Sequence, residues 1–346
     1  MFGYAAGKVV ESYYNYFLSF GSKVTAHFHE WMTGSGGLYL HSNATHISRV
    51  FTTHATVVGR SIAGNGLNLY DDMESYNAEV VSSEFNLRSK YSLEKLAANL
   101  AHAFTTVSEV TARECEIFLD KKPDVITPNG FDDRMVPKAK AYDKIREVAR
   151  HRMIEVANAL CGKDIGDDAF ITIISGRYEY RNKGIDIYLQ ALKDLKPKIE
   201  SGKDILAYIT IPTAHFGADI NLLNRLKGNT TDINDARLTH KLMDDQQDAI
   251  INYCNQNGLN NLGGSGLTVV FVPAYLTGDD GIFNMSYYEL LSGCDLSIFP
   301  SYYEPWGYTP LESLAYGVPT VTTNLAGFGK WVEQQSVVKE AGITVL

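Results

Sequence analysis

The feature that most constrains the fold is the alternation, along nearly the whole chain, of short apolar runs with longer helical patterns. This alternation predicts parallel sheets wound with helices, because strands covered on both faces read as short continuous apolar runs. The predicted strands span 24–28, 50–53, 104–107, 125–127, 170–174, 205–211, 267–272, 296–299 and 320–322. The clearest predicted helices span 92–102, 108–120, 139–160, 184–195, 241–257 and 308–316.

The length of 346 residues suits two domains of about 150 residues each. We predict two Rossmann-like, doubly wound α/β domains, at 1–165 and 166–346, with the charged helix 139–160 as the linker. The region of about 215–265 is rich in Asn, Gly and Asp, and we interpret it as an insertion in the second domain. Open α/β sheets bind ligands beyond the carboxyl ends of their strands, so we expect a ligand there.

Composition excludes several classes of partner. Lys and Arg number 31 against 40 Asp and Glu, a net charge of −9, which argues against nucleic-acid and anionic-membrane partners. No apolar stretch approaches the length that spans a bilayer. The four cysteines form no CxxC pair, which is typical of a cytoplasmic protein.

The N-terminal segment is predicted to be an amphipathic helix rather than a signal peptide, since charged residues interrupt it. Its apolar face is expected to consist of Ala5, Val9, Tyr13, Phe17 and Phe20, which recur at helical spacing.

The segment SYYEPWGYTPLE at 301–312 runs from a predicted strand through a loop into a helix. Backbone N–H groups of Gly307, Tyr308 and Thr309 at the helix start favour a phosphate. Glu304 lies in the loop, and Glu312, eight residues on, can reach the hydroxyls of a ribose. Taken singly, the two glutamates could instead be a solvated loop acid and a capping carboxylate.

The segment SGRYEYRNKG at 175–184 is a second strand–loop–helix connection. Arg177 and Lys183 lie six residues apart between two glycines, and an anionic diphosphate leaving group needs such a pair of cations. Arg181 is expected to point elsewhere. The alternative is a surface basic cluster paired with Glu179.

Histidines gather in AHFHEW at 26–31 and FTTHAT at 51–56. The pair His27 and His29, with Glu30 adjacent, allows a metal site as an alternative, but no third ligand has obvious spacing. Histidines that hydrogen-bond a sugar fit the pattern better, and His54 follows a strand and should face the ligand. No GxGxxG follows any strand, which argues against a dinucleotide-dependent dehydrogenase.

These segments, together with FTTVSEVTARE and PDVITPNGFD, closely resemble the animal and fungal type of glycogen synthase from about residue 5 to 335. That family is a retaining glucosyltransferase of the two-Rossmann GT-B class. The resemblance implies transfer of glucose from UDP-glucose to the non-reducing 4-hydroxyl of an α-1,4-glucan, without a metal or other cofactor.

The resemblance also implies roles for residues. Arg177 and Lys183 would hold the diphosphate, Glu304 would lie against the donor sugar, and Tyr287 would stack on uracil. The implied catalytic residues are Glu304, Arg177, Lys183 and His54. The implied substrate-binding residues are Glu312, Gly307, Tyr308, Thr309, Tyr287, Glu30 and Asn129.

The chain departs from the family pattern at both ends. Family members begin with a strand and a glycine-rich loop and continue beyond the position of Leu346, so we expect a fragment with both domains incomplete and weak or no activity. A homo-oligomer is possible. The alternatives are another GT-B glucosyltransferase of the sucrose or trehalose type, or a non-catalytic remnant that binds a sugar nucleotide or glucan.

Overall fold

The computed structural model describes residues 1–18, 21–261, 266–335 and 341–346. Contacts divide the chain into two compact units. Unit 1 consists of Met1–Gly130, Tyr303–Gly307 and Asn324–Gln334. Unit 2 consists of Phe131–Tyr302, Tyr308–Thr323 and Gln335–Leu346.

Unit 1 is built on a four-stranded parallel sheet in the order β1-β2-β3-β4. Its strands are β1 (Thr25–His29), β2 (Ser48–Thr53), β3 (Ala103–Thr106) and β4 (Val125–Ile126). Its helices are α1 (Phe2–Phe17), α2 (Glu30–Asn43), α3 (Val57–Gly64), α4 (Ala78–Glu84), α5 (Arg88–Leu100), α6 (Glu109–Phe118) and α13 (Gly327–Glu333), with a 3-10 turn at Met73–Ser75.

Unit 2 is built on a six-stranded parallel sheet in the order β12-β11-β10-β5-β6-β9. Its strands are β5 (Phe170–Ser175), β6 (Ile205–Thr210), β9 (Leu267–Phe271), β10 (Leu296–Ile298), β11 (Thr320–Thr322) and β12 (Ile343–Val345). An antiparallel pair, β7 (His215–Ala218) and β8 (His240–Leu242), lies within the predicted insertion. The helices are α7 (Lys140–Cys161), α8 (Ile185–Leu195), α9 (Ile220–Leu226), α10 (Ala249–Gln256), α11 (Tyr287–Ser292) and α12 (Tyr308–Ala315), with 3-10 turns at Asp133–Met135 and Lys196–Lys198.

The sheet of unit 2 is buried on both faces, which explains its uninterrupted apolar runs. Along β6, Leu206 and Tyr208 enter one core cluster, whereas Ala207 and Ile209 enter the other. Successive side chains of a strand point to opposite faces of the sheet. When both faces are buried, both alternating sets of residues must therefore be apolar. The prediction of parallel sheets covered by helices is therefore confirmed.

The domain boundary differs from the predicted one near residue 165. Helix α7, predicted as a linker, belongs to unit 2, where Met153 and Ala157 are buried in the core. Arg146 and Arg150 of this helix also form ion pairs with Asp295, at 2.6 and 2.8 Å. The chain therefore first passes from unit 1 to unit 2 between Gly130 and Phe131.

The predicted helix 241–257 is shorter in the structure. Residues His240–Leu242 pair with β7 instead, and the helix begins only after Asp248, whose side chain accepts a hydrogen bond from the Ile251 N–H. An aspartate that caps a helix in this way fixes its first turn. The predicted end is correct, since Gly258 adopts a left-handed φ of +70° just beyond the helix.

The predicted apolar face of α1 is wrong. Val9, Tyr13 and Phe17 are 67%, 56% and 74% exposed, and Phe20 lies outside the described residues. The buried positions are instead Gly3 and Gly7, which let the backbone of α1 approach that of α2. Close helix contact through glycine leaves no signal in the spacing of large apolar residues.

Two fully buried glutamates lie in unit 1. Glu94 on α5 accepts hydrogen bonds from the Thr53 hydroxyl and the Val57 N–H, at 2.6 and 3.0 Å. Glu114 on α6 accepts hydrogen bonds from side-chain hydroxyls. Burial raises the pKa of Glu94 to about 8 and that of Glu114 to about 7, since a buried carboxylate loses its hydration.

Among the described residues, no helix combines the length and the apolar character needed to cross a membrane.

We predict that Gly36→Ala destabilises unit 1 by about 1–3 kcal/mol, because overpacking forces the surrounding backbone to move. A methyl group at Gly36 would lie 2.5 Å from the Gly3 carbonyl oxygen and 2.6 Å from the Phe28 ring. The matched control is Gly37→Ala, whose methyl would lie 3.4 Å from the same ring and which should stabilise the helix by up to about 1 kcal/mol. Urea unfolding measures both, and equal effects would contradict the close contact of α1 with α2.

We also predict that the two buried glutamates make the free energy of unfolding fall as the pH rises. Between about pH 4.5 and their raised pKa values, the folded chain keeps protons that the unfolded chain has released, so each group contributes a slope of up to about −1.4 kcal/mol per pH unit. Glu94→Gln should therefore gain stability relative to the parent between pH 5 and 8. Urea unfolding across this range measures the difference, with the exposed Glu84→Gln as control. A difference that is flat with pH would count against a buried, protonated Glu94.

Candidate active site

The topology of unit 2 marks where a ligand should bind. β5 and β10 are parallel neighbours at the centre of the sheet, and the chain proceeds from them toward opposite edges. Such a point of reversed strand order leaves a crevice beyond the carboxyl ends of the strands. The segment 176–184 follows β5 and the segment 299–307 follows β10, so the two strongest sequence motifs begin at the same point of the sheet.

The loop after β5 follows a path that only glycine permits. Gly184 has a left-handed φ of +67°, and a methyl group there would lie 1.9 Å from the Pro300 carbonyl oxygen. Gly176, at the other end of the loop, has a φ of +143°, and a methyl there would contact the Lys183 side chain at 3.6 Å. The loop therefore packs backbone to backbone against the start of the other motif, with Lys183 beside Gly176.

The three cations of this loop have different surroundings. Arg177 is 58% exposed on its side chain and pairs with Glu179, with 3.0 Å between Nη2 and Oε1. Arg181 lies over the ring of Tyr302, 4.7 Å from its centroid, so it points elsewhere as predicted. An exposed ion pair contributes little free energy to stability. Arg177 can therefore leave Glu179 and bind a more highly charged anion at a small free-energy cost.

A cleft of about 270 Å³ lies beside this loop within unit 2. Arg177, Tyr287 and Thr309 line it together, which brings three predicted site residues to one place. The Tyr287 hydroxyl lies 2.7 Å from the Ser175 hydroxyl, and burial raises the pKa of this tyrosine. Tyr275 also lines the cleft, is 74% exposed and was missed by the sequence analysis, because one tyrosine in a loop carries no motif.

The start of α12 adds backbone donors. Gly307 adopts a left-handed φ of +109°, and Tyr308 and Thr309 form the first turn, where N–H groups have no partner within the helix. Glu312, one turn on, accepts a hydrogen bond from the Tyr288 hydroxyl at 2.8 Å, and burial raises the pKa of Glu312. Phosphate and hydroxyl ligands suit this combination of donors and a half-buried carboxylate.

In unit 1, the carboxyl ends of β1 and β2 bring together Glu30 and His54. The Glu30 carboxylate accepts a hydrogen bond from the His54 N–H at 2.8 Å, and Glu30 has a left-handed φ of +65°. Backbone strain of this kind is typical of functional sites. Burial raises the pKa of Glu30, although its contacts with His54 and the charge of Arg60 oppose the shift.

The histidines form a chain of neighbouring rings. His29 Nδ1 lies 3.1 Å from His54 Nε2, and the ring centroids of His27 and His29 are 4.1 Å apart. Burial, and to a smaller extent the neighbouring histidines, lower the pKa of all three, so they favour the neutral form. Within the described ranges, no group of three or more His, Cys, Asp or Glu side chains is arranged to hold a metal ion.

Glu304 belongs to unit 1, in the segment Tyr303–Gly307. The Glu304 carbonyl accepts a hydrogen bond from the Gly327 N–H at 2.9 Å, and the Trp306 carbonyl accepts one from the Phe328 N–H at 2.6 Å. The predicted residues thus divide between the units. Unit 1 holds Glu30, His54, Asn129, Glu304 and Gly307, and unit 2 holds Arg177, Lys183, Tyr287, Tyr308, Thr309 and Glu312.

The sequence analysis also missed Arg60. This residue lies on α3, and its charge opposes the upward pKa shifts that burial causes in Glu30 and Glu114. Its Nε atom is buried and has no hydrogen-bond partner among the described residues. Arginine on a helix normally indicates a solvated face, so nothing in the local pattern marks it.

Comparison with known proteins identifies the family. The sequence profile described as glycogen synthase matches residues 1–233 and 230–346. The chain is 30% identical to the liver glycogen (starch) synthase of Homo sapiens, over 91% of this chain and 52% of that protein. It is also 30% identical to glycogen (starch) synthase isoform 2 of Saccharomyces cerevisiae, over 93% of this chain and 56% of that protein. The chain therefore spans about half the length of these curated relatives.

Solved structures agree on the fold. Sucrose-phosphate synthase from Thermosynechococcus elongatus superposes with a TM-score of 0.51 at 17% identity, over 99% of this chain and 64% of that chain. The catalytic domain of starch synthase IV from Arabidopsis thaliana, bound to ADP and acarbose, gives 0.51 at 16% identity, over 95% and 61%. The predicted GT-B class is confirmed, and the chain belongs to the glycogen synthase family.

Proposed function

We propose that this chain transfers glucose from UDP-glucose to the non-reducing 4-hydroxyl of an α-1,4-glucan, with retention of the anomeric configuration. The observation that carries the proposal is the cleft of unit 2, where Arg177, Tyr287 and Thr309 converge at the reversal of strand order. Membership of the glycogen synthase family supplies the reaction. We propose the cytoplasm as its compartment, in keeping with four free thiols.

In this proposal unit 2 binds the nucleotide and stabilises its departure. The uracil stacks on Tyr287, with Tyr275 at the exposed side of the cleft, and Glu312 accepts hydrogen bonds from the ribose. Arg177 and Lys183 neutralise the diphosphate, and the N–H groups at the start of α12 bind its distal phosphate. Charge-assisted bonds to the leaving oxygens grow stronger as negative charge develops, so they lower the barrier to transfer.

Unit 1 contributes the groups that act on the sugar. His54, its backbone fixed by Glu30, hydrogen-bonds the donor glucose as a neutral imidazole. The Glu304 carboxylate stabilises the positive charge that develops at the anomeric carbon. The bond from that carbon to the phosphate oxygen breaks while the acceptor hydroxyl attacks from the same face. The hydroxyl proton passes to the departing phosphate, which conserves atoms and charge without a further base.

The proposal is tested by incubating the chain with labelled UDP-glucose and glycogen and counting label in polymer. Arg177→Ala and Lys183→Ala should each lower kcat by about 100-fold or more, since each removes charge that stabilises the leaving group. Arg181→Ala, in the same loop but stacked on Tyr302, is the matched control and should stay within about twofold.

Two results would defeat this assignment. Equal losses in Arg177→Ala and Arg181→Ala would mean that only the general charge of the loop matters. Transfer of labelled glucose to a small acceptor, with release of UDP and no labelled polymer, would favour a glucosyltransferase of the sucrose or trehalose type. Parallel reactions with ADP-glucose test the base, since stacking on tyrosine alone does not select uracil.

A further inference from the structure

We infer that Glu114 is a positioning residue for glucose transfer, whose buried carboxylate fixes the turn that carries His54 and the segment that carries Glu304 to one point of unit 1. This role rests on the proposed function, because that function assigns His54 and Glu304 to the transfer step. Glu114 itself is fully buried on α6, so it acts through its neighbours rather than on the substrate.

Three hydroxyl groups from separate parts of the chain donate to this one carboxylate. Glu114 Oε2 accepts from the Thr56 hydroxyl at 2.5 Å and from the Tyr303 hydroxyl at 3.3 Å. Its Oε1 accepts from the Tyr70 hydroxyl at 3.4 Å. The two oxygens of a carboxyl group offer enough lone pairs for all three donors, whereas an apolar side chain of similar size offers none.

Thr56 connects the carboxylate to the His54 turn. Its hydroxyl oxygen also accepts a hydrogen bond from the Gly59 N–H at 3.0 Å and so caps α3, two residues after His54. A methyl group at Gly59 would lie 2.2 Å from Glu114 Oε2. Helix α3 therefore comes so close to this carboxylate that only glycine fits, and the turn is held at its helical end.

Tyr303 connects the carboxylate to Glu304. The Tyr303 ring is buried in the core of unit 1 and stacks with Tyr70, with ring centroids 6.5 Å apart. The backbone of the next residues is held separately, by hydrogen bonds to the start of α13. The segment around Glu304 is thus held in two ways. The Tyr303 side chain bonds to Glu114, and the carbonyl groups of Glu304 and Trp306 accept hydrogen bonds from the start of α13.

Burying a carboxyl group lowers the stability of the fold, and packing contacts alone do not explain why Glu114 is buried. Removing such a group from water costs free energy that hydrogen bonds only partly return, so an apolar residue would serve stability better. The described groups that influence Glu114 or Tyr303 electrostatically include Arg60, Glu94, Tyr70 and Cys115. Among the described residues, Glu94 accepts hydrogen bonds from Thr53 and Val57, so it braces the His54 turn without reaching the Glu304 segment.

These contacts yield a test by kinetics. Glu114→Gln and Tyr303→Phe should each lower kcat about tenfold while KM for UDP-glucose stays within twofold, because the reacting groups are misplaced but the nucleotide cleft is intact. The double variant should fall no further than either single variant, because both break one connection. Tyr70→Phe removes a hydroxyl from the same carboxylate but keeps the ring that stacks on Tyr303, so it should keep the parent kcat.

A second measurement tests the hydrogen bond between Tyr303 and Glu114 without relying on enzyme turnover. In a chain with 3-fluorotyrosine at position 303, the fluorine chemical shift should titrate with Glu114, and the titration should disappear in Glu114→Gln but persist in Glu94→Gln. Should Glu114→Gln fail to fold, Tyr303→Phe carries the kinetic test alone.

The outcomes separate the two claims. If the parent chain incorporates no glucose, the proposed function is wrong. The fluorine titration then shows independently whether Tyr303 is bonded to Glu114. Normal kcat in both Glu114→Gln and Tyr303→Phe, in a parent that is active, overturns the positioning role while leaving the proposed function standing. A loss in Tyr70→Phe equal to that in Tyr303→Phe would reduce Glu114 to a structural group.

Discussion

The backbone contact between Gly184 and the Pro300 carbonyl oxygen is the constraint on which the nucleotide side of the site depends. A methyl group at Gly184 would lie 1.9 Å from that oxygen, so the loop after β5 reaches the loop after β10 only with glycine there. The contact lies where the strand order reverses, and it fixes the loop that carries Arg177 beside the start of α12. Arg177 and Thr309, in the first turn of α12, therefore line the same cleft.

In unit 1, the groups around the candidate site are held in conformations and surroundings that reduce stability. Glu30 holds a left-handed backbone, and Glu94 and Glu114 are buried carboxylates, all of them bonded to residues 53–57. Backbone strain and buried carboxyl groups concentrated on one turn are expected where a fold gives up local stability for a functional geometry. The three carboxylates together hold the turn that presents His54, and Glu114 extends that hold to Tyr303.

Much of the fold could be predicted from the sequence, because strands buried on both faces have an unmistakable pattern and the two site motifs follow predicted strands directly. The packing of α1 could not, since Gly3 and Gly7 make contact through their backbone. The start of α10 could not be predicted either, because nothing in the sequence distinguishes the capping residue Asp248 from the other polar residues around it. Glu114 and Arg60 resemble solvated helix residues. Only tertiary structure shows that Glu114 is buried and that, among the described residues, Arg60 Nε has no hydrogen-bond partner.

The central claim is that a nucleoside diphosphate sugar binds in the cleft of unit 2 with its phosphates on Arg177 and the start of α12. A crystal structure of the chain grown with UDP-glucose tests this most directly. We predict the uracil against Tyr287 and the diphosphate within hydrogen-bond distance of Arg177 and the Tyr308 and Thr309 N–H groups. A nucleotide bound outside this cleft, or a diphosphate turned away from Arg177, would contradict the account.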